Sequence, residues 1–460
     1  MGLATTAERI GVELAPPLTS RVIDDFGTGD TRHLLISGDN LPAMTALLDA
    51  GWEGRIDCVC TDPPYNTGDQ LLYQDTRGRA IGTAAQRRGH EEWKTFMEPR
   101  VRLMHALLAE TGTLIMAIDD SEVAHLRILL DETFGEQNFV SMVVHAGQVG
   151  STRPLIANTA DYLLIYAKSR AALKEAGIRW REPKAGIDAL LDRAAAIARA
   201  NNDPAQARQE WVDHLKSLTD PPAGVRQYDR LTAEGRPWRR GPLVSPGTAR
   251  YTYDIIHPVT GRPCAKPPRG WRMTEDTMRK MLAEDRICFG SDETVQPAEV
   301  LYLDEHRDGV ATSVFYAPRK RAADHLADLF GVTRTPFPFP KDPDILARWI
   351  RLVTLGAKDS VILDPFGGSG STAEAVMELN RADGGARSSI LITLDEGGDV
   401  PDHLRDQAGI AASGVTGGIV SAITVPRLRA LESGIRADGT SWGDGYRQRV
   451  VVAELLEERP

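Results

Sequence analysis

Residues 361–372 read Val-Ile-Leu-Asp-Pro-Phe-Gly-Gly-Ser-Gly-Ser-Thr, and this run decides the fold. The apolar, β-branched stretch from Ser360 to Leu363 predicts a buried parallel strand. The glycines after it predict a tight turn, and Ser371 to Asn380 predicts the helix that follows. In open α/β sheets, a turn of this kind at the carboxyl end of a strand is where ligands bind.

The turn can be interpreted as one of three ligand-binding loops. A phosphate-binding P-loop needs a lysine after the last glycine, and Ser371 occupies that position. A dinucleotide fingerprint lacks its third glycine, because Ala373 stands there. The third interpretation is an S-adenosylmethionine loop in which Asp364 holds the ammonium group of the cofactor. The other loop residues assigned to that cofactor are Phe366, Gly367, Gly368, Ser369 and Gly370.

An acidic pair supports the cofactor interpretation. Ser389 to Leu394 predicts the next strand, and Asp395 and Glu396 follow it, about twenty-five residues after the turn, close to the spacing of a ribose-binding acid. A glycine-rich turn on its own could equally be a tight connection that binds no ligand.

A second motif, Thr-Asp-Pro-Pro-Tyr at residues 61–65, closes another predicted strand, Arg55 to Cys60. Such prolines can simply end a strand, and an aspartate there can cap the next element. Methyl transfer to an aromatic amino group needs acceptors for both amino hydrogens, which the Asp62 carboxylate and the Pro63 carbonyl can supply. Pro63 and Pro64 stiffen the loop, and Tyr65 offers a flat face for a base that has flipped out of a duplex.

Together these stretches resemble the β-class of DNA amino-methyltransferases, in which the catalytic motif precedes the cofactor motif and a target-recognition domain lies between them. More narrowly, the chain resembles the modification subunits of type III restriction–modification systems. The matching stretches are Ile36-Ser-Gly-Asp-Asn-Leu, Cys60-Thr-Asp-Pro-Pro-Tyr-Asn-Thr-Gly, Asp161-Tyr-Leu-Leu-Ile-Tyr-Ala-Lys, Gly270-Trp-Arg-Met, Phe339-Pro-Lys and Ile362-Leu-Asp-Pro-Phe-Gly-Gly-Ser-Gly-Ser-Thr.

The resemblance implies transfer of a methyl group from S-adenosyl-L-methionine to the N6 amino group of adenine in double-stranded DNA. It also implies that Asp39, Phe339 and Lys341 bind the cofactor, although Asp39 could as well be a helix cap. The partners that it suggests are a restriction subunit with helicase and nuclease activity and a second copy of the chain. We therefore expect a site-specific, adenine-specific DNA methyltransferase of a restriction-modification or related defence system.

Three alternatives remain open. An N4-cytosine methyltransferase would share the fold and the cofactor, but that group usually has Ser where this chain has Asp62. Related RNA or protein methyltransferases usually have Asn there. A catalytically silent DNA-reading specificity subunit would bind the cofactor without transferring its methyl group.

The order of predicted elements indicates an α/β protein with a Rossmann-like methyltransferase sheet, parallel and doubly wound, that is split by an insert. Among its predicted elements is a helix from Asn40 to Ala50 that Asn40 caps. The predicted divisions are an N-terminal extension (1–32), the catalytic half (33–168), the target-recognition insert (169–336), the cofactor-binding half (337–397) and a C-terminal extension without an assigned role (398–460).

Composition limits the remaining classes. The net charge of −10 argues against a protein that coats nucleic acid, yet residues 221–280 hold twelve Lys/Arg against five Asp/Glu and could face DNA. Four cysteines without metal or disulfide spacing, no signal peptide and no membrane-length apolar run predict a cytoplasmic protein without a membrane partner. We predict no metal ligands.

Overall fold

The computed structural model describes residues 20–66, 83–147, 159–395 and 418–455, except 220, 223, 248–250, 338 and 437. The chain divides into two compact units, of which the first contains residues 1–180 and 312–460 and the second contains residues 181–311. No helix in the described ranges has both the length and the apolar character needed to cross a bilayer.

The strands, in chain order, are β1 (Ser20–Phe26), β2 (Arg32–Ser37), β3 (Ile56–Thr61), β4 (Leu108–Ile118), β5 (Phe139–Ala146), β6 (Ala160–Ala167), β7 (Glu182–Pro183), β8 (Arg230–Leu231), β9 (Pro237–Gly241), β10 (Ile287–Cys288), β11 (Ala298–Tyr302), β12 (Asp308–Gly309), β13 (Val314–Tyr316), β14 (Val361–Asp364), β15 (Ser388–Thr393) and β16 (Arg449–Leu455).

The α-helices are α1 (Asn40–Asp49), α2 (Thr83–Leu107), α3 (Val123–Phe134), α4 (Arg170–Glu175), α5 (Ile187–Ala200), α6 (Pro204–Ser217), α7 (Glu275–Ala283), α8 (Lys320–Phe330), α9 (Pro343–Val353), α10 (Ser371–Asp383) and α11 (Val425–Ser433). A π-helix turn, Val420–Thr424, leads directly into α11.

In the described residues of the first unit, ten strands form one sheet in the order β1-β16-β2-β15-β14-β3-β4-β6-β5-β13. The six strands from β16 to β4 run parallel to one another. Strands β14 and β3 are neighbours, and Leu363 pairs with Val59. The carboxyl ends of both motif-bearing strands therefore meet at one edge of the sheet. The strand that follows β3 in the chain, β4, lies on one side of this pair, and the strand that follows β14, β15, lies on the other. Open α/β sheets bind ligands at such a switch point.

Side chains of β2 show how the sheet is covered on both faces. Leu34 and Ile36 pack into a core with α1, α2 and α3, whereas Leu35 packs into a second core with α8, α10 and α11. Because successive side chains of a strand point to opposite faces, a strand that is apolar at every position needs a helical layer on each side. The predicted doubly wound arrangement is confirmed.

Three features of this unit differ from the sequence analysis. Strand β6 runs antiparallel between β4 and β5, so the sheet is mixed rather than wholly parallel. Asp39 rather than Asn40 caps α1, and its side chain accepts a hydrogen bond from the backbone of Leu41. Strands β1 and β16, from the predicted terminal extensions, pair with each other, and β16 also pairs with β2 inside the sheet.

The second unit lies within the predicted insert of residues 169–336. Its described strands form a four-stranded sheet, β10-β11-β9-β8, and a two-stranded one, β12-β7. One apolar core surrounds Trp211 of α6, and a second surrounds Trp271, both fully buried. The unit therefore has its own cores, which accounts for the change of pattern along the sequence.

Much of the positive charge in residues 221–280 is neutralised within this second unit. Ion pairs with acids of the unit hold Arg236, Arg262, Lys266, Arg272 and Arg279. Two aromatic residues of this stretch, Tyr228 and Trp271, are buried in the cores. A DNA-facing role for this stretch stays a prediction.

Candidate functional site

The two motifs meet through a hydrogen bond between their strand ends. Thr61 Oγ1 donates to Asp364 Oδ1 at 2.9 Å. The Asp364 carboxylate also accepts from Thr372 Oγ1 at 2.6 Å and from the backbone N–H of Phe366 at 3.1 Å. Burial raises the pKa of Asp364 to about 6, against the lowering effect of these hydrogen bonds. The carboxylate is thus a fixed, nearly buried acceptor at the sheet edge.

A cavity of about 200 Å³ lies over this edge and extends along both motifs. It brings together most of the residues predicted from the sequence. The predicted residues that line it are Asp39, Asp62, Pro64, Phe339, Lys341, Asp364, Phe366, Gly367, Gly368 and Ser369.

The other predicted residues have different environments. Pro63 is buried, and Gly370 is the N-cap residue of α10, with a left-handed φ of 86° that favours glycine. Asp395 is exposed, and its Oδ1 accepts a hydrogen bond from the backbone of Val420 at 2.8 Å. Glu396 lies outside the described residues.

The carboxylate of Asp62 has a hydroxyl and an ammonium group beside it. Tyr65 donates from its hydroxyl to Asp62 Oδ1 at 2.6 Å, and Lys341 Nζ lies 3.2 Å from the same oxygen. Lys341 also donates to the Tyr65 hydroxyl at 2.5 Å, and its ammonium lies 4.8 Å from the centre of the tyrosine ring. The three side chains form a compact polar cluster at the end of β3.

Burial sets the protonation of this cluster. It raises the pKa of Asp62 above the usual value for an aspartate, and the Lys341 ammonium opposes that rise. Burial and the negative charge of Asp62 raise the pKa of Tyr65, which keeps its hydroxyl protonated and able to donate. Asp62 is therefore an acceptor whose charge depends on Lys341.

Asp39 is the helix cap that the sequence offered as one alternative, and it also lines the cavity, so its binding of the cofactor stays a prediction. The guanidinium of Arg100 pairs with its carboxylate at 3.0 Å and donates to Asn40 Oδ1 at 2.5 Å. Asn40 in turn donates from its amide to the Pro365 carbonyl at 2.7 Å. This chain of contacts links α1, α2 and the glycine turn.

The sequence analysis missed a second support of the glycine turn, which comes from residues after position 418. The fully buried Arg427 of α11 donates to the Ser369 carbonyl at 3.1 Å and to Ser371 Oγ at 2.9 Å. Thr424 Oγ1 donates to the Gly368 carbonyl at 2.6 Å. In the sequence, Arg427 is one of two arginines in a short stretch of mixed polarity, which gives no indication of its partner.

A buried glutamate balances the charge of Arg427. Arg427 Nε donates to Glu374 Oε2 at 2.6 Å, and His325 contacts the other carboxylate oxygen. Although burial alone would raise the pKa of Glu374, its two cationic neighbours hold that pKa below the usual value. The glycine turn therefore rests on an ion-paired network between α8, α10 and α11.

Residues 56–397 match the DNA methylase family, so the chain belongs to that family. Among curated relatives, the Mod subunit of the type III restriction-modification enzyme EcoP15I of Escherichia coli is 29% identical over 80% of this chain and 59% of the relative. The StyLTI Mod subunit of Salmonella typhimurium is 31% identical over 80% of this chain and 53% of that subunit.

The type II methyltransferase M.KpnI of Klebsiella pneumoniae is 30% identical, and the match covers 86% of this chain and 87% of that enzyme. The chain thus spans just over half the length of the two Mod subunits but most of the length of M.KpnI.

Proposed function

We propose that this chain methylates the N6 amino group of adenine at a specific site in duplex DNA, with S-adenosyl-L-methionine as the methyl donor. One observation carries the proposal: a single cavity in a DNA methylase family member is lined both by Asp62 and by the glycine turn that follows Asp364. A donor held by the turn and an acceptor held by Asp62 would share that cavity.

The residues of the cavity suit S-adenosylmethionine. The buried Asp364 carboxylate can accept from the ammonium group, and the walls beside it include the apolar Phe337, Phe366 and Ile392. At Gly367 an added Cβ would lie only 2.8 Å from Thr393 Oγ1, so the turn admits no side chain there. Glycine at this position therefore allows the turn to pack closely against Leu391 and Thr393 of β15. A ribose-binding role for Asp395 remains part of the proposal.

Asp62 would act on the acceptor base. Its contacts with Tyr65 and Lys341 both use Oδ1, and we assign Oδ2 to an amino hydrogen of adenine. The second amino hydrogen would be bound by the Pro63 carbonyl, and the Tyr65 ring would stack on the flipped base. When bound, S-adenosylmethionine supplies an electrophilic methyl group. The residues contribute by positioning and by electrostatic stabilisation, so no strong general base is needed.

Adenine is favoured over cytosine because position 62 holds aspartate, where the cytosine-specific enzymes that the chain resembles usually have serine. The printed names of two relatives, Mod subunits of type III enzymes, support a role in restriction–modification and a restriction subunit as partner. M.KpnI is named a type II methyltransferase, which supports activity of the chain without such a partner.

The test is transfer of labelled methyl groups from S-adenosylmethionine to unmethylated genomic DNA, followed by nucleoside analysis. We expect labelled N6-methyladenine, and Asp62→Ala should lower the transfer rate by about 10²–10³-fold while cofactor binding persists. Asp49→Ala, at an exposed position on α1, is the matched control and should transfer at the wild-type rate.

Other labelled products would change the proposal in defined ways. N4-methylcytosine would overturn the choice of base but not the cofactor. Cofactor binding without any label would favour a silent DNA-reading subunit, unless addition of a restriction subunit restored transfer. A wild-type rate in Asp62→Ala would contradict the role given to that carboxylate.

A further inference from the structure

We propose that His90, Glu122 and His125 bind a divalent transition-metal ion, for which Zn²⁺ is the best match. His90 lies in α2, Glu122 immediately precedes α3, and His125 lies in its first turn. Within the described residues, this is the group of His, Cys, Asp and Glu side chains whose donor atoms come close enough to share an ion, all within 4.8 Å of one another.

The donor atoms of the two histidines contact opposite oxygens of one carboxylate. His90 Nδ1 lies 2.6 Å from Glu122 Oε1, and His125 Nδ1 lies 2.9 Å from Glu122 Oε2. The two imidazole rings stack with their centres 4.3 Å apart and their planes 20° from parallel. Both Nδ1 atoms thus lie against the same carboxylate.

In the contact between Glu122 and His125, neither atom makes a hydrogen bond to a described residue. The Glu122 side chain is fully buried, yet its Oε2 and the His125 Nδ1 lack a hydrogen-bond partner among the described residues, although they lie 2.9 Å apart. A buried polar atom without a partner is costly, so such a pair needs an explanation. An ion that accepts a lone pair from each atom would satisfy both.

The donor set suits zinc better than the common alternatives. Two imidazole nitrogens and a carboxylate oxygen are typical zinc ligands, whereas Mg²⁺ and Ca²⁺ prefer oxygen ligands. With bonds of about 2.0–2.2 Å, the ligand atoms of a tetrahedral zinc site lie roughly 3.3 Å apart, so the two contacts need to open by under about 1 Å. Glu122, the N-cap residue of α3, and His125, in its first turn, bring both donors to the N-terminal end of that helix.

Access and orientation also fit an ion site. The side chains of His90 and His125 are 33% and 41% exposed, so water can reach a fourth coordination position. Asn66 donates from its amide to Glu122 Oε1 at 2.7 Å and thereby orients the carboxylate from behind. Such outer contacts are a regular part of metal sites.

The position of Asn66 gives the ion a role. This residue directly follows Tyr65, has a left-handed φ of 60°, and is joined to Glu122 through its side-chain amide. An ion bound by Glu122 would stabilise this residue and the end of the segment from Asp62 to Asn66. The site is therefore a structural metal centre under the catalytic segment, independent of which base is methylated.

The experiment is titration of the chelator-treated full chain with Zn²⁺, followed by calorimetry and metal analysis. We expect one ion per chain at micromolar concentration or below, and visible ligand-field absorption when Co²⁺ replaces Zn²⁺. His125→Ala and Glu122→Gln should each weaken binding at least tenfold. His214→Ala, in α6 of the second unit, removes a partly exposed helical histidine outside the cluster and should bind as the wild type does.

Two results would overturn the proposal. Absence of stoichiometric binding at 100-fold excess of Zn²⁺ would mean that Glu122 is held by hydrogen bonds from Asn66 and His90 alone. Binding that His125→Ala leaves unchanged would place the ion elsewhere. Because Glu122 is buried, thermal unfolding of the metal-free variants is compared with that of the metal-free wild type, and the half-exposed His125 gives the decisive variant.

Discussion

Lys341 places a positive charge against the carboxylate that we propose to act on the amino group. Its Nζ lies 3.2 Å from Asp62 Oδ1, while burial raises the pKa of Asp62. Without that charge, the partly buried carboxylate would take up a proton more readily, and its protonated form could no longer accept as well from an amino group. Lys341 therefore sustains the ionised form of Asp62, in addition to any contact with the cofactor.

Replacing Lys341 by methionine should change the pH dependence of methyl transfer. The ammonium lowers the pKa of Asp62, so Lys341→Met raises it further, and the rise of the rate with pH should move to higher pH. The loss of rate should then be larger at pH 6 than at pH 8. Single-turnover rates across this range are the measurement.

Two further variants distinguish a shift of the pH profile from a general loss of methyl-transfer activity. Lys341→Arg keeps the charge and should keep the wild-type pH profile. Lys320→Met removes an ammonium whose side chain is 83% exposed on α8 and should change nothing. A pH profile that Lys341→Met leaves unshifted, with a weaker cofactor affinity, would return Lys341 to the cofactor-binding role that the sequence suggested.

At the scale of elements, α11 supports the glycine turn from outside the matched family region. Arg427 joins the turn to Glu374 of α10, and both charged side chains are buried. Removing one partner of a buried ion pair leaves an uncompensated charge. The turn and the helix packing therefore depend on the same contact.

We expect Arg427→Met to lower the free energy of unfolding by about 3–5 kcal/mol and to weaken cofactor binding. Urea unfolding and calorimetric titration with S-adenosylmethionine are the measurements. Arg429→Met, on the same helix with a side chain 50% exposed, should cost at most about 1 kcal/mol. Replacing Glu374 by methionine as well should restore part of the lost stability. No recovery in that double variant would show that packing, rather than charge, holds the network.

The elements around both motifs could be predicted because their signals are local. Strands β3 and β14 are short β-branched runs, and the glycines after Asp364 require a turn whatever surrounds them. The adjacency of Thr61 and Asp364 could be inferred from the rule that parallel strands bind ligands at their carboxyl ends. These parts of the site needed no knowledge of tertiary contacts.

The remaining parts depend on contacts between distant residues. Strand β16 is defined by pairing with β1 and β2, more than 400 residues earlier, and the direction of β6 leaves no trace in its apolar pattern. The ammonium of Lys341 beside Asp62, and Arg427 beneath Ser369, are likewise tertiary contacts. Periodicity and turn residues report backbone preference, so they cannot identify such partners.

At the scale of the whole molecule, two units with separate cores share one chain. The second unit, residues 181–311, buries Trp211 and Trp271 in cores of its own. The sequence located this insert by a change of pattern and predicted its bounds as residues 169–336, a range that contains the second unit. Separate cores imply that each unit can lose structure independently.

Trp211→Ala should unfold the second unit selectively. Removal of this fully buried side chain costs about 3–5 kcal/mol, and it also deletes the hydrogen bond from its indole N–H to the Tyr228 carbonyl. Hydrogen exchange should then show lost protection across residues 181–311 and retained protection in β14 and β15. Loss of protection in both units would contradict their independence, and retained protection in both would mean that this core tolerates the cavity.

Strand β16 has a consequence for synthesis on the ribosome. It lies between β1 and β2 in the sheet, so neither of these strands can form this pairing until β16 has been synthesised. The first residue of β16 lies 412 positions after Ser37, the last residue of β2 (449 minus 37). At ~5–20 residues per second, one edge of β2 stays without its native partner for roughly 20–80 s. An unpaired strand edge is a template for pairing with other chains. The nascent protein therefore exposes that edge to other chains until β16 has been synthesised.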